Sequence, residues 1–154
     1  MADLVAHTIK PKGQWSGLVI DRVVLPYDDR FRRRILLTSE QGAKVLLSLK
    51  EAQHLHTGDA LETPDGELVE VVAAPEKLIE IRCTNPTELL RVAWHLGNRH
   101  LPTQIEKDVV FIRFDQVILD MVDGLGASTK IVTAPFDPEG GAYGGHSMVH
   151  SHEH

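Results

Sequence analysis

At 154 residues, 42% hydrophobic and 25% charged, the chain has the make-up of a globular protein of one medium domain or two small ones. A net charge of −6 and an aromatic content of 5% argue against a nucleic-acid surface, which needs a basic stripe and stacking rings, and no stretch approaches the ~20 apolar residues of a membrane span. The amino-terminal MADLVAHTIK lacks the basic flank and apolar run of a secretory leader, and a single cysteine, Cys83, excludes an internal disulfide framework, so a cytoplasmic location is expected.

The first half reads as short strands and tight turns. Leu18-Val19-Ile20 and Val23-Val24-Leu25 are short β-rich runs, the second ended by Pro26. Arg32, Arg33 and Arg34 read as the solvated side of a strand, partly neutralised by Asp28 and Asp29. Residues 34–38 and 44–49 flank Ser39-Glu40-Gln41-Gly42, a compact glycine-bearing connection that suits a hairpin. A second pair, residues 60–62 and 68–72, flanks Pro64-Asp65-Gly66, where proline presets φ and glycine accepts a positive one. Gly58 and Asp59 mark another turn. Residues 1–74 are therefore expected to form a small all-β domain.

The period then changes. Residues 77–83 alternate as a strand, and Asn85-Pro86-Thr87-Glu88 opens a helix: Asn85 caps, Pro86 takes the first helical position, and Glu88 stands where a capping box wants a carboxylate. Leu89, Val92, Ala93 and Leu96 follow the i, i+3, i+4, i+7 rule and predict one buried face. Gly97 is the expected left-handed terminator, and Pro102 prevents the helix from resuming. Strands at residues 103–106 and 109–114 turn at Lys107-Asp108. Asp115 caps a short helix through Val117, Ile118, Met121 and Val122, closed by Gly124 and Gly126, and residues 129–133 supply a last strand. The order βαββαβ over residues 75–135 is the split βαβ, ferredoxin-like arrangement, so the fold class is α+β. From Phe136 onward, glycines at 140, 141, 144 and 145 and the lack of periodicity predict a flexible tail over residues 136–154.

Four of the nine histidines, His146, His150, His152 and His154, lie in that tail. Imidazole is largely neutral near pH 7 and offers a lone pair without prior deprotonation, so several on one chain can wrap a borderline divalent cation. With nitrogen donors and no second thiol, nickel, copper and zinc are favoured over magnesium and calcium. The irregular spacing of four, two and two residues differs from the unbroken run of an expression tag.

The remaining candidates are less decided by sequence. His100, just past the helix stop, either satisfies carbonyls at the helix end or serves as a ligand. Asn98 is expected to fix the turn, Arg99 to pair with a carboxylate such as Glu106, and His95 to lie in solvent off the apolar face. His54 and His56 have the i, i+2 spacing of a metal pair but sit in what reads as a loop, His7 reads as surface, and Cys83 as a small buried hydrophobe. Signals for catalysis are thin: there is no phosphate-binding glycine loop with lysine, no nucleophile in a recognisable turn and no HExxH. A metal-dependent hydrolase using His100 with Glu106 is one alternative. A passive metal buffer, or a peptide-binding adaptor working through the first domain, is another.

Gly97-Asn98-Arg99-His100 followed by apolar Leu101 and Pro102, then a Gln-Ile-Glu strand, all after a helix opened by Asn-Pro-Thr-Glu, closely resembles the UreE family of urease accessory proteins, the nickel metallochaperones. The resemblance covers the whole chain. It implies an amino-terminal domain similar to the peptide-binding domain of Hsp40-type chaperones, and a homodimer meeting through the second domain with His100 of each copy as principal Ni2+ ligand at the two-fold axis. It further implies that tail histidines complete the coordination, that Zn2+ or Cu2+ compete for the same ligands, and that the metal passes to the urease maturation GTPase and urease apoprotein. The positions of two auxiliary histidines found in some members match Phe114 and Gln116, so that site is expected to be missing.

Overall fold

The computed structural model describes residues 2–140. They form two compact units, the first running to Ala74 and the second spanning Pro75–Glu139.

The first unit is built of strands, with one short 3-10 turn at Tyr27–Asp29: β1 (Leu4–Ala6), β2 (Thr8–Lys10), β3 (Val19–Leu25), β4 (Phe31–Thr38), β5 (Lys44–His54), β6 (Ala60–Glu62) and β7 (Leu68–Ala73). They make a three-stranded sheet in the order β1-β5-β4 and a four-stranded sheet in the order β2-β6-β7-β3. The two expected hairpins form, β4 with β5 and β6 with β7, both antiparallel. Alternation works as the two-residue period demands: Asp21, Val23 and Leu25 of β3 turn inward while Arg22 and Val24 turn out. Val23, Leu25, Val45, Leu47, Leu61, Val69 and Val71 share one core. Asp21 is buried yet held by donors, the Ser39 hydroxyl and the backbone N–H groups of Arg22 and Gln41. Burial opposes its ionisation, but these bonds outweigh it and keep the carboxyl below its ordinary pKa.

Two features of this unit differ from expectation. β1 and β2 are strands, paired with Val45, Leu46 and Leu47 and with Ala60, Leu61 and Glu62 respectively, far along the chain. β5 also runs on to His54, which sequence placed in a loop, because its ring packs on Phe31 at 4.5 Å and Tyr27 at 6.1 Å. The three arginines are exposed, as expected, at a register shift between Arg32 and Arg34.

The second unit comprises β8 (Pro75–Arg82), α1 (Pro86–Asn98), β9 (Gln104–Glu106), β10 (Val109–Arg113), α2 (Gln116–Gly124) and β11 (Ser128–Pro135). Its sheet order is β11-β8-β10-β9 with every pair antiparallel, the ferredoxin-like arrangement the element order predicts. Ile81 stands opposite Val110 and Ile79 opposite Ile112, so the four line one face. Val92 and Leu96 of α1 and Ile118 and Val122 of α2 close over that face. Each helix begins where its cap says: the Asn85 side chain accepts from the Glu88 N–H, and Asp115 accepts from those of Val117 and Ile118. The Glu88 carboxylate does not complete a capping box and pairs with Arg91 at 2.9 Å. Residues 136–139, read from sequence as the start of the tail, belong to this unit, and Phe136 among them is fully buried.

Candidate metal centre at the end of the first helix

The turn that carries His100 is built by α1 and its stop. The helix does not end at Gly97. It continues through Asn98, and the residue in the left-handed conformation is His100 itself, at φ 60°. Two backbone bonds define the closure: Leu101 N–H to Leu96 O at 3.1 Å and His100 N–H to Gly97 O at 2.9 Å. This is a Schellman motif with His100 in the seat usually given to glycine. Side-chain packing decides the position. Stopping at Gly97 would pair Ala93 with polar Asn98 across the cap, whereas stopping at His100 pairs fully buried Leu96 with Leu101, which packs on the same core. The signal was present in the sequence as two leucines five residues apart flanking the turn.

His100 is exposed, and among the described residues its imidazole has no hydrogen bond or ion pair. It therefore caps no carbonyl at the helix end with its side chain. The histidine thus holds a strained left-handed backbone with its ring presented to solvent at the end of a packed helix, and it is not a core residue. Histidine tolerates this backbone region better than most residues, at a cost glycine would avoid.

The other candidates separate clearly. Arg99 makes no ion pair with Glu106; the Glu106 carboxylate accepts from Gln104 Nε2 at 3.0 Å instead. His95 is half-buried, its ring meeting Trp94 edge-on at 5.2 Å. Leu90 and Trp94, one turn apart on α1, are exposed at 70% and 64%. Phe114 holds Lys77 Nζ over its ring at 4.1 Å, and Gln116 donates through Nε2 to Asp120, so neither auxiliary position carries an imidazole. Cys83 packs against the core of the second unit, and burial, with the Glu88 charge, pushes its thiol up, which disfavours the thiolate a metal needs.

In the first unit, His7 is exposed with Nδ1 at 2.9 Å from Ser48 O. His54 and His56 approach with ring centroids 6.4 Å apart; burial, then the charges of His56 and Arg30, push the His54 pKa down. Among the described residues no three His, Cys, Asp or Glu side chains gather to hold a metal ion. His146, His150, His152 and His154 lie outside the described residues.

Gln104 was missed by the sequence reading. Its Oε1 accepts from the backbone N–H of Asp137 at 2.8 Å while its Nε2 donates to Glu106. Beside it, Glu139 N–H donates to Thr103 O at 2.8 Å. No local motif announces such a residue, because its partner lies 33 positions away.

Comparison with known proteins agrees with this architecture. Residues 4–74 match a family model described as the UreE urease accessory protein N-terminal domain, and residues 76–154 match that of its C-terminal domain. The chain is 56% identical over 138 residues to the urease accessory protein UreE of Rhodopseudomonas palustris (strain BisB18), an alignment covering 90% of this chain and 65% of that protein. It is 46% identical over 151 residues to that of Beijerinckia indica subsp. indica, covering 98% and 87%. With that of Ruegeria pomeroyi it shares 47% over 146 residues, covering 95% of both. The chain thus spans about two thirds of the length of the first of these relatives, 65%. These are accessory proteins and not enzymes, which removes the hydrolase alternative. Two matched domains and identities near one half over most of the chain place it plainly: it belongs to the UreE urease accessory protein family.

Proposed function

We propose that this protein captures Ni2+ in the cytoplasm and hands it over for assembly of the urease active site. The observation that carries the reading is the exposed, unbonded imidazole of His100 on a strained but rigid turn. A single imidazole leaves most of a nickel ion's coordination positions open, and an isologous dimer doubles every ligand automatically. The homodimer meets through the second unit, His100 of one copy facing the partner subunit's His100. Exposed Leu90 and Trp94, on the helix that leads to His100, support that contact surface. His146, His150, His152 and His154 supply further nitrogen donors, and Zn2+ or Cu2+ compete for the same set.

Hand-over needs no covalent chemistry. Imidazole ligands exchange one at a time, so the ion passes to the urease maturation GTPase and urease apoprotein without release into water. Nickel titration of the wild type, His100→Ala and a form with the four carboxy-terminal histidines changed to alanine tests the scheme. His100→Ala is expected to lose the tight site, and the tail variant to keep it while binding fewer ions per dimer. Unchanged affinity and stoichiometry in His100→Ala overturns the assignment.

A further inference from the structure

Strand alternation fixes what the three-stranded sheet of the first unit turns away from its core. Val45, Leu47 and Leu49 of β5 are buried, so Leu46 and Ser48 between them face outward. The register carries that face across the sheet: Val5 of β1 stands on one side of Leu46 and Leu36 of β4 on the other. Val5 and Leu46 are half-buried and Leu36 is 52% exposed, while the next residues along, Ala6, Leu47 and Leu37, lie in the core. An apolar row three strands wide thus opens to solvent.

Two polar rows border it. On one side Arg34 stands opposite Ser48, its Nη1 donating to the Ser48 hydroxyl at 3.2 Å. On the other Lys44 stands opposite Thr38, its Nζ donating to the Thr38 hydroxyl at 3.0 Å. Among the described residues neither cation makes an ion pair; the carboxylate at that corner, Asp3, accepts from the Lys44 backbone N–H at 2.8 Å. Arg32 and Arg33 extend the basic run along β4, and of these only Arg32 meets a carboxylate, exposed Asp29 at 3.4 Å. A chain of net charge −6 therefore sets a positive rim around an apolar centre, the layout of a protein interface.

We infer that this face docks an acidic partner protein through an extended segment whose apolar side chain lies between two carboxylates. Side chains two apart along a strand share a face and stand about 7 Å apart, so Arg34, the Leu36–Leu46 pair and Lys44 span about 14 Å. A segment lying along the strands meets them with an acidic residue at i−2, an apolar one at i and an acidic one at i+2. The occupant is not another part of this chain. Its sequence holds that pattern once, at Glu76-Lys77-Leu78-Ile79-Glu80, where Leu78 is buried within β8. Residues 141–154 contain a single acidic side chain, Glu153. A contact of this size buries less than about 1,200 Å², so it is transient, with the charges steering the approach. The inference stands whether or not His100 binds nickel.

The probe is a synthetic peptide, Ser-Glu-Thr-Leu-Thr-Glu-Ser, titrated at low salt into the isotope-labelled full chain and followed by amide NMR shifts. Two control peptides carry lysine in place of both glutamates, or serine in place of leucine. Saturable shifts centred on Val5, Arg34, Leu36, Lys44 and Leu46 are expected, with affinity roughly tenfold weaker or less for either control. In the protein, Arg34→Glu is expected to weaken binding roughly two- to tenfold while Arg34→Lys stays within about twofold. Leu36→Asp abolishes binding, and thermal unfolding of each variant establishes that it is folded. The Arg34 pair decides the matter alone if Leu36→Asp does not fold. Absent or unsaturable binding, shifts centred elsewhere, controls that bind equally well, or equal affinities for Arg34→Glu and Arg34→Lys overturn the inference. So does a smaller assembly of peptide-free Leu36→Asp in sedimentation, which would make the face a contact between copies of this chain.

Discussion

Replacing His100 with glycine should make the protein more stable and less able to bind nickel. A left-handed backbone costs a residue bearing a Cβ about 1–2 kcal/mol, and His100 holds φ 60°. Glycine removes that strain but widens the unfolded ensemble by about 0.4–1 kcal/mol, leaving a net gain of about 0.5–1 kcal/mol. For a unit the size of Pro75–Glu139 this raises Tm by about 2–8 °C. His100→Ala keeps the Cβ and the strain, so it should stay within about 0.5 kcal/mol of the wild type. Urea unfolding and thermal scans of metal-free protein, run beside nickel titrations, distinguish the two substitutions. Both are expected to lose the tight nickel site, while only glycine gains stability. A glycine variant that is less stable than the wild type by about 1 kcal/mol or more would refute the reasoning, since it would mean that the imidazole itself holds the turn together. Stability given up in this way is the kind expected if the proposed ligand takes a seat the fold would give to glycine.

Three further outcomes follow from the same geometry. Asp21→Asn should cost about 2 kcal/mol near neutral pH. Because the folded pKa of Asp21 lies below its unfolded value, its contribution is fully present above the ordinary carboxyl range and fades as pH falls through the folded pKa. Denaturation curves of both forms from pH 7 to pH 3 should therefore converge in acid, and a constant difference argues against the carboxylate network. Leu90→Asp combined with Trp94→Asp should leave the fold intact, both being exposed, and shift sedimentation from dimer to monomer; an unchanged dimer moves the interface elsewhere. Nickel binding should release protons and weaken on acidification, because metal and proton compete for the same imidazole lone pair; calorimetry in buffers of different ionisation enthalpy measures this directly.

Much of the second unit was legible because its boundaries are written in local chemistry. Asn85 with Pro86, and Asp115, start their helices, and Gly126 at φ 92° follows the end of the second. The strands between them show their apolar periods. What escaped the sequence reading depends on distant partners. β1 is three residues long and finds its mate at Val45, Leu46 and Leu47, so nothing within its own window marks it as a strand. His54 is drawn into β5 by rings at Tyr27 and Phe31. Gly97 was the obvious stop by residue type, but the hydrophobic closure of Leu96 on Leu101 outweighs glycine's lower strain and carries the left-handed position to His100. The bond from Asp137 N–H to Gln104 Oε1 is invisible for the same reason, since a glutamine becomes informative only when a residue 33 positions away arrives beside it.

The two tryptophans of the chain are divided between the units. Trp15 is half-buried with its indole N–H on Gly58 O, while Trp94 stands in solvent on α1 with His95 against its edge. Each unit thus carries its own optical reporter, Trp15 emitting toward the blue and Trp94 toward the red. Trp15→Phe and Trp94→Phe variants allow the unfolding of each unit to be followed separately in the intact chain. Trp94, on the helix that leads to His100, would report in the same spectrum on the proposed subunit contact and on the approach of a quenching metal.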